Sequence, residues 1–427
     1  MKRVMSLKGN LRSWLMLCSG CVLLFLLSGC SIIDDPKALM RTPQLSSDRE
    51  SLFNVINVET KGSIIAPKDV KSSIRTADLD NDGVKEAIVF YETPDETVRI
   101  HGMILEQQGD SWIVKVRFDG EGQNLETFDL KDLAGDGRLN IIAGFSGGGE
   151  DVQKGLTVYS YDGQKVDNLL TIPYSNFLID DLNQDGQLDI TVVNLKREQN
   201  ATVTAYQFDG TSFKELDQIQ LDDAVEEYYN TVSGNITPKL RGIILDASFG
   251  AHYAYSHMLV MKDGKFEDLV PSQDFTFKNY PVYSGDVDGD GILEVGRSEK
   301  PIGWDEPPYE MPLFSYYQWN EGAGDDKTSW KFVKQQYMDP SGRFYFNFPK
   351  EWNRTVTIDP KSNPDEHLWF VKVDNGETVA EIRFFSLSEW ENYKDQWELL
   401  AWDYDKVIGF YSKTNMKVNK GEQEIKR

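Results

Sequence analysis

Four stretches of the chain place side-chain oxygens at alternate positions of a short, glycine-containing loop. They are Asp78-Leu-Asp80-Asn-Asp82-Gly83-Val84-Lys-Glu86, Asp132-Leu-Ala134-Gly-Asp136-Gly137-Arg-Leu-Asn140, Asp181-Leu-Asn183-Gln-Asp185-Gly186-Gln187-Leu-Asp189 and Asp286-Val-Asp288-Gly-Asp290-Gly291-Ile292-Leu-Glu294. Ca²⁺ takes about six to eight hard oxygen ligands, and flexible loops supply them. A loop curled around such an ion would offer the side chains at positions 1, 3, 5 and 9 and the carbonyl at position 7. The candidate ligands are therefore Asp78, Asp80, Asp82, Val84 and Glu86; Asp181, Asn183, Asp185, Gln187 and Asp189; and Asp286, Asp288, Asp290, Ile292 and Glu294. In the loop at Asp132, Ala134 removes a ligand and Asn140 weakens the closing position, which favours a metal-free turn. Carboxylates so close together repel one another strongly without a cation. The competing readings are a solvated Asp/Asn/Gly turn and an EF-hand or dockerin loop. The last needs a helix behind the loop and a closing glutamate at position 12.

The residues behind the loops are β-branched and apolar instead: Ala87-Ile-Val-Phe-Tyr91, Ile141-Ile-Ala143 and Ile190-Thr-Val-Val193. Further on come the turns Gly109-Asp110, Asp162-Gly163, Asp209-Gly210 and Asp263-Gly264, and Asp-Gly between alternating runs signals a hairpin. From the first loop aspartate to the turn glycine is 31 residues in each of the first two units and 29 in the third. The turn at Asp263 marks a fourth unit whose loop has decayed near Ile244-Leu-Asp246, and a fifth comes after the loop at Asp286. Units of roughly 50 residues suit four short strands with their turns, the period of a propeller blade.

An Asp-x-Asp-x-Asp-Gly-x-x-Glu loop followed by a strand resembles the FG-GAP/VCBS repeat of integrin-α-type propellers and of many bacterial surface proteins. The resemblance covers about 270 residues, without the Phe-Gly and Gly-Ala-Pro signatures of the integrin repeat. It implies a mainly β chain: a β-propeller of five to seven four-stranded blades over 52–339, with two to three structural Ca²⁺ ions in blade loops. After Asp339-Pro340 the pattern changes, and 340–427 reads as a small α+β domain. Phe344, Phe346 and Phe348 open it as a strand, and Ser388-Glu-Trp-Glu391 caps a helix striped by Trp390, Tyr393, Trp397 and Leu400.

At the N-terminus, Lys2, Arg3, Lys8 and Arg12 precede an apolar run of 14 residues, Trp14 to Leu27, which is short for a membrane span and fits a signal peptide over 1–29. Leu27-Ser28-Gly29-Cys30 resembles the lipobox of bacterial lipoproteins, which implies acyl chains on Cys30, a tether over 30–51 and an extracytoplasmic, membrane-anchored location. The other cysteines, Cys18 and Cys21, fall within the signal, so no disulfide is expected. Net charge is −24, and losing the signal's four basic residues leaves −28, a surface that repels nucleic acid and attracts cations.

Catalytic motifs are poor. Gly144-Phe-Ser146-Gly-Gly148 matches a nucleophile elbow but lacks the helix that should come after it. His252 and His257 do not make a zinc pair at strand spacing. Trp304, Tyr316, Tyr317 and Trp319 cluster in the fifth unit as core or as a contact face. The expectation is a tethered scaffold that binds an extracellular protein or polysaccharide. The alternative is a secreted hydrolase acting on cell-wall or external polymers.

Overall fold

In a computed structural model the chain is described over residues 47–68, 72–93, 97–147, 154–250, 252–305, 313–320 and 329–413. The signal segment, Cys30 with its lipobox, and Gly148 lie outside these residues. The described residues fall into two compact units, 47–62 with 107–113 and the rest of those from 63 to 413. The described part of the first contains the helix Ser47–Thr60, whose last turn is closed by Thr60 Oγ1 donating to the Ile56 carbonyl at 2.8 Å. No helix among the described residues is long and apolar enough to cross a membrane.

The strands form six antiparallel sheets of four or five strands. In the first, Ile64–Ile65 and Ile74–Ala77 both pair with Glu86–Glu92, followed by Ile100–Gln108 and Ser111–Asp119. The second runs Asn124–Lys131, Asn140–Ser146, Lys154–Tyr161 and Val166–Tyr174. The third runs Asn176–Asp180, Asp189–Lys196, Asn200–Phe208 and Phe213–Gln220. Glu227–Thr237, Leu240–Phe249, Tyr253–Lys262 and Lys265–Asp268 make the fourth, and Glu294–Glu299, Leu313–Trp319, Trp330–Met338 and Tyr345–Asn347 the fifth. In the second to fifth sheets the strands keep chain order, and Asp-Gly turns close the last hairpin of the second, third and fourth. Asp263 (φ 51°) and Gly264 (φ 73°) have the paired left-handed geometry that such a two-residue turn demands.

The apolar runs behind the loops are continuous because both of their faces are covered. Successive side chains of a strand point to opposite sides. Ile141 thus joins a cluster with Ile88, Phe90 and Ile104 of the first sheet, while Ile142 joins one with Ile190 and Val192 of the third. Ile243 and Leu245 pack with Val193 and Val203, and Ile244 turns the other way to Val295 and Trp330. Each of the first five sheets is thereby joined to the next by buried side chains.

The fourth sheet departs from the expected pattern. Its first two strands are joined by the short turn at Pro238-Lys239, so the acidic loop is missing there rather than decayed near Asp246. Asp246 sits mid-strand, fully buried, paired with the equally buried Lys278 at 2.7 Å. Asn230, Ser256 and Ser284 also donate to its carboxylate, and Lys278 donates to the Val282 carbonyl.

The C-terminal segment also differs. Tyr345–Asn347 pairs with Trp330–Met338, so this strand completes the fifth sheet instead of opening a separate piece. The sixth sheet has the order Val356–Ile358, His367–Lys372, Thr378–Ser386, Lys406–Ser412, Glu398–Asp403. Its helix, Leu387–Tyr393, is capped by Ser386 and Glu389, an earlier Ser-x-x-Glu than the expected one. Leu400 leaves the helix because Glu398–Asp403 folds back on Lys406–Ser412 across Tyr404-Asp405. Phe346 of the fifth sheet packs with Phe370, Ile382 and Phe410 of the sixth in one core.

Lys278→Met removes the ammonium drawn into the Asp246 pocket and leaves a buried anion, which costs about 3–5 kcal/mol. The urea midpoint of the variant is therefore expected to fall sharply, and an unchanged midpoint would show that the pair carries no such weight.

Candidate metal centre

All four acidic loops share one hydrogen-bonded skeleton. The position-1 carboxylate takes the N–H of position 6: Gly83 to Asp78 at 2.9 Å, Gly137 to Asp132 at 2.8 Å, Gly186 to Asp181 at 2.9 Å and Gly291 to Asp286 at 3.0 Å. The position-5 carboxylate takes the N–H of position 7, from Val84, Arg138, Gln187 and Ile292. The position-9 side chain reaches back to the N–H of position 2, as Glu86 does to Leu79 at 2.7 Å and Glu294 to Val287 at 2.8 Å. The glycines at position 6 have φ of 88°, 87°, 92° and 85°, a left-handed conformation that explains why glycine stands there.

The loops also tie neighbouring sheets together. Leu139 N donates to the Leu79 carbonyl at 2.8 Å, and Gln187 Nε2 to the Leu133 carbonyl at 2.9 Å. Leu293 N donates to the Asn235 carbonyl at 2.8 Å. A Cβ built on Gly163, in the second sheet's hairpin turn, would lie 2.7 Å from Asp80 Oδ2.

Two loops gather carboxylates. Oxygens of Asp78, Asp80 and Glu86 lie within 4.8 Å of one another, as do those of Asp286, Asp288 and Asp290. The loop at Asp181 makes no such three-carboxylate group among the described residues, since its position 3 is Asn183, whose amide donates to Asp185 at 3.0 Å. In the loop at Asp132, Arg138 bonds Asp136 through Nε at 2.9 Å, so the loop carries its own cation.

A residue outside the loop motif distinguishes the sites. Position 9 faces Glu106 in the first sheet, Gln207 in the third and Gln318 in the fifth. Gln207 Nε2 donates to Asp185 at 2.8 Å and Asp189 at 3.1 Å, and Gln318 Nε2 to Asp290 and Glu294, both at 2.8 Å. An amide thus bridges the position-5 and position-9 carboxylates. Glu106 can only accept when ionised; it adds a further carboxylate, to which Lys115 Nζ donates at 2.6 Å. Sequence inspection missed these residues because only the hairpin register places them opposite position 9.

Burial dominates the electrostatics. It pushes the Glu86 carboxyl up from 4.5 to about 7, with Asp80, Asp82 and Asp78 adding repulsion. Burial likewise raises Glu294 to about 7 and Asp189 to about 6. Asp80 is also raised, by burial and then by Asp82 and Asp78. Among the described residues, Asp80 Oδ1 is buried without a hydrogen-bond partner. An orphaned carboxylate oxygen beside two other acids fits a hard divalent cation.

The other candidates give no chemistry. Ser146 ends a strand and donates to Glu126, and the next described element is another strand. His257 is buried, bonded to Asp268 at 2.7 Å, while His252 precedes its strand. Trp304 donates to the Ile358 carbonyl, and Tyr316, Tyr317 and Trp319 pack against buried clusters. No protein-family model matches the chain, and no curated protein matches its sequence.

The raised carboxyls set a pH dependence for the metal-free protein. A folded-state value above the unfolded one means folding favours the protonated form. That contribution is complete below the unfolded value and is lost as pH rises through the folded one. In chelator the melting midpoint is expected to decline from about pH 4.5 to about pH 7 through these groups. Thermal melts at constant ionic strength check this, and the double variant Glu86→Gln/Glu294→Gln should flatten the slope.

Proposed function

We propose that the chain is an extracytoplasmic lipoprotein, held to the membrane by acyl chains on Cys30, whose sheets form a calcium-stabilised β-propeller that binds a protein or polysaccharide. The observation that carries the reading is the convergence of Asp78, Asp80 and Glu86, whose oxygens lie within 4.8 Å of one another. Three carboxylates in so small a space need a counter-ion, and an all-oxygen set selects a hard one. Asp82 and the Val84 carbonyl complete the first site. Asp286, Asp288, Asp290 and Glu294 with the Ile292 carbonyl form the second. Asp181, Asn183, Asp185 and Asp189 with the Gln187 carbonyl form a weaker third.

Sheets of four or five strands, joined face to face in chain order with loops recurring before the same kind of strand, support the propeller. The ion's part is structural: it would clamp each loop, and each loop already bridges two sheets. The anchor rests on the lipobox alone, and the binding role on the shortage of catalytic groups beside a loop-rich scaffold.

Calcium is expected to raise the melting midpoint and chelator to lower it, with about 2.7 kcal/mol gained when free calcium exceeds the dissociation constant a hundredfold. Glu86→Gln keeps an acceptor for the Leu79 N–H, as Asn140 does in its own loop, but removes the charge. It should therefore abolish the tightest site seen by calorimetric titration while leaving the apo protein folded. Gln207→Glu should strengthen the third. Melts indifferent to calcium and chelator would overturn the metal reading. For the anchor, Cys30→Ala is expected to abolish incorporation of labelled palmitate and release the protein from the membrane fraction.

A further inference from the structure

Away from the acidic loops, a cavity of about 430 Å³ opens beside the fourth sheet. Its walls include the rings of Phe249, Tyr255 and Phe277 and the side chains of Asp222 and Asp274, and among the described residues no lysine, arginine or histidine lines it. The rings form a connected group: Phe249 lies 5.6 Å from Tyr255 and 6.1 Å from Phe277 between centroids. Tyr253 extends the group, 5.6 Å from Phe277. Phe277 is 40% exposed and Tyr253 44%, an unusual outlay of aromatic surface beside a concavity. Asp222 is fixed at the rim. Its Oδ1 accepts from Ala224 N at 2.9 Å and its Oδ2 from the Tyr255 hydroxyl at 3.1 Å.

We propose that this cavity binds an organic ammonium group, methylated ammonium ahead of primary. The faces of aromatic rings are negative and attract a cation within about 6 Å. The two carboxylates act in the same direction, as does the acidic chain as a whole, with its net charge of −24. A neutral sugar would gain from the rings but would draw nothing from that charge. A primary ammonium is strongly hydrated, so rings offer it less than they offer a weakly hydrated methylated head. The tilted rings, 34° between Tyr253 and Phe277 and 61° between Phe249 and Phe277, present faces in more than one direction, as a rounded head requires. The inference names a ligand class for the binding role above and rests on that reading, but it needs none of the metal loops.

The test is calorimetric titration of the full chain, in calcium and in chelator, with choline, with its uncharged carbon isostere dimethylbutanol, with methylamine and with cellotetraose. Saturable choline binding is expected, roughly tenfold tighter than the isostere and tighter than methylamine. Asp222→Asn, which keeps oxygen acceptance at the rim, should weaken it roughly fivefold, and Phe277→Ala more, with the melting midpoint of each variant showing that it remains folded. Equal binding of choline and its isostere, cellotetraose binding in place of choline, or no saturation by choline would each overturn the assignment. Capture of a cell-envelope partner by pocket variants as well as by the parent chain would overturn it too, while leaving the scaffold reading intact.

Discussion

An Asp-Gly loop between two strands leaves N–H groups that no neighbouring strand meets; those at position 6 are exposed, and those at position 2 are buried or half-buried, where a partner is required. In all four loops the chain meets them with its own carboxylates and, at Asn140, with an amide oxygen. That need comes before any ion. It fixes positions 1, 5 and 9, crowds their charges together, and leaves only the remaining oxygens to face a cation. The dense hydrogen bonding within the loop therefore creates the electrostatic problem that the surroundings must solve.

The chain holds several solutions. In the second sheet a guanidinium from the same loop neutralises position 5. In the third and fifth, a glutamine from the next strand donates to two carboxylates at once. The fourth dispenses with the loop and keeps a buried Asp246–Lys278 pair deeper in the sheet. Only in the first does the facing residue add another negative charge, with Lys115 at its far side. One backbone design thus supports different balances of charge, set by a residue on an adjacent strand.

Much of this is legible in the residues alone. The apolar runs behind the loops, the Asp-Gly hairpins and the glycine at position 6 each have a local cause, so residue type exposes them. The features that stay hidden depend on pairing between distant strands. Glu106, Gln207 and Gln318 stand opposite position 9 by register, and nothing in their local sequence marks them. Asp246 resembles the remnant of a loop because an isolated aspartate after apolar residues usually lies at a strand end; its buried lysine partner comes from a connection 32 residues on. The helix cap slips because two Ser-x-x-Glu patterns overlap at Ser386 and Ser388, and only the earlier one meets the chain as it leaves its strand.

Phe346 and its neighbours have a consequence for how the molecule could be divided or inherited. Their strand belongs by hydrogen bonds to the fifth sheet, yet their rings share a core with the sixth. A cut near Pro340 would strip the fifth sheet of its outer strand and bare a greasy wall on the sixth, so neither fragment would be an autonomous product. The last ~80 residues are thus poorly suited to exchange as a detachable cassette, and gene rearrangements that preserve the protein should carry both sheets together.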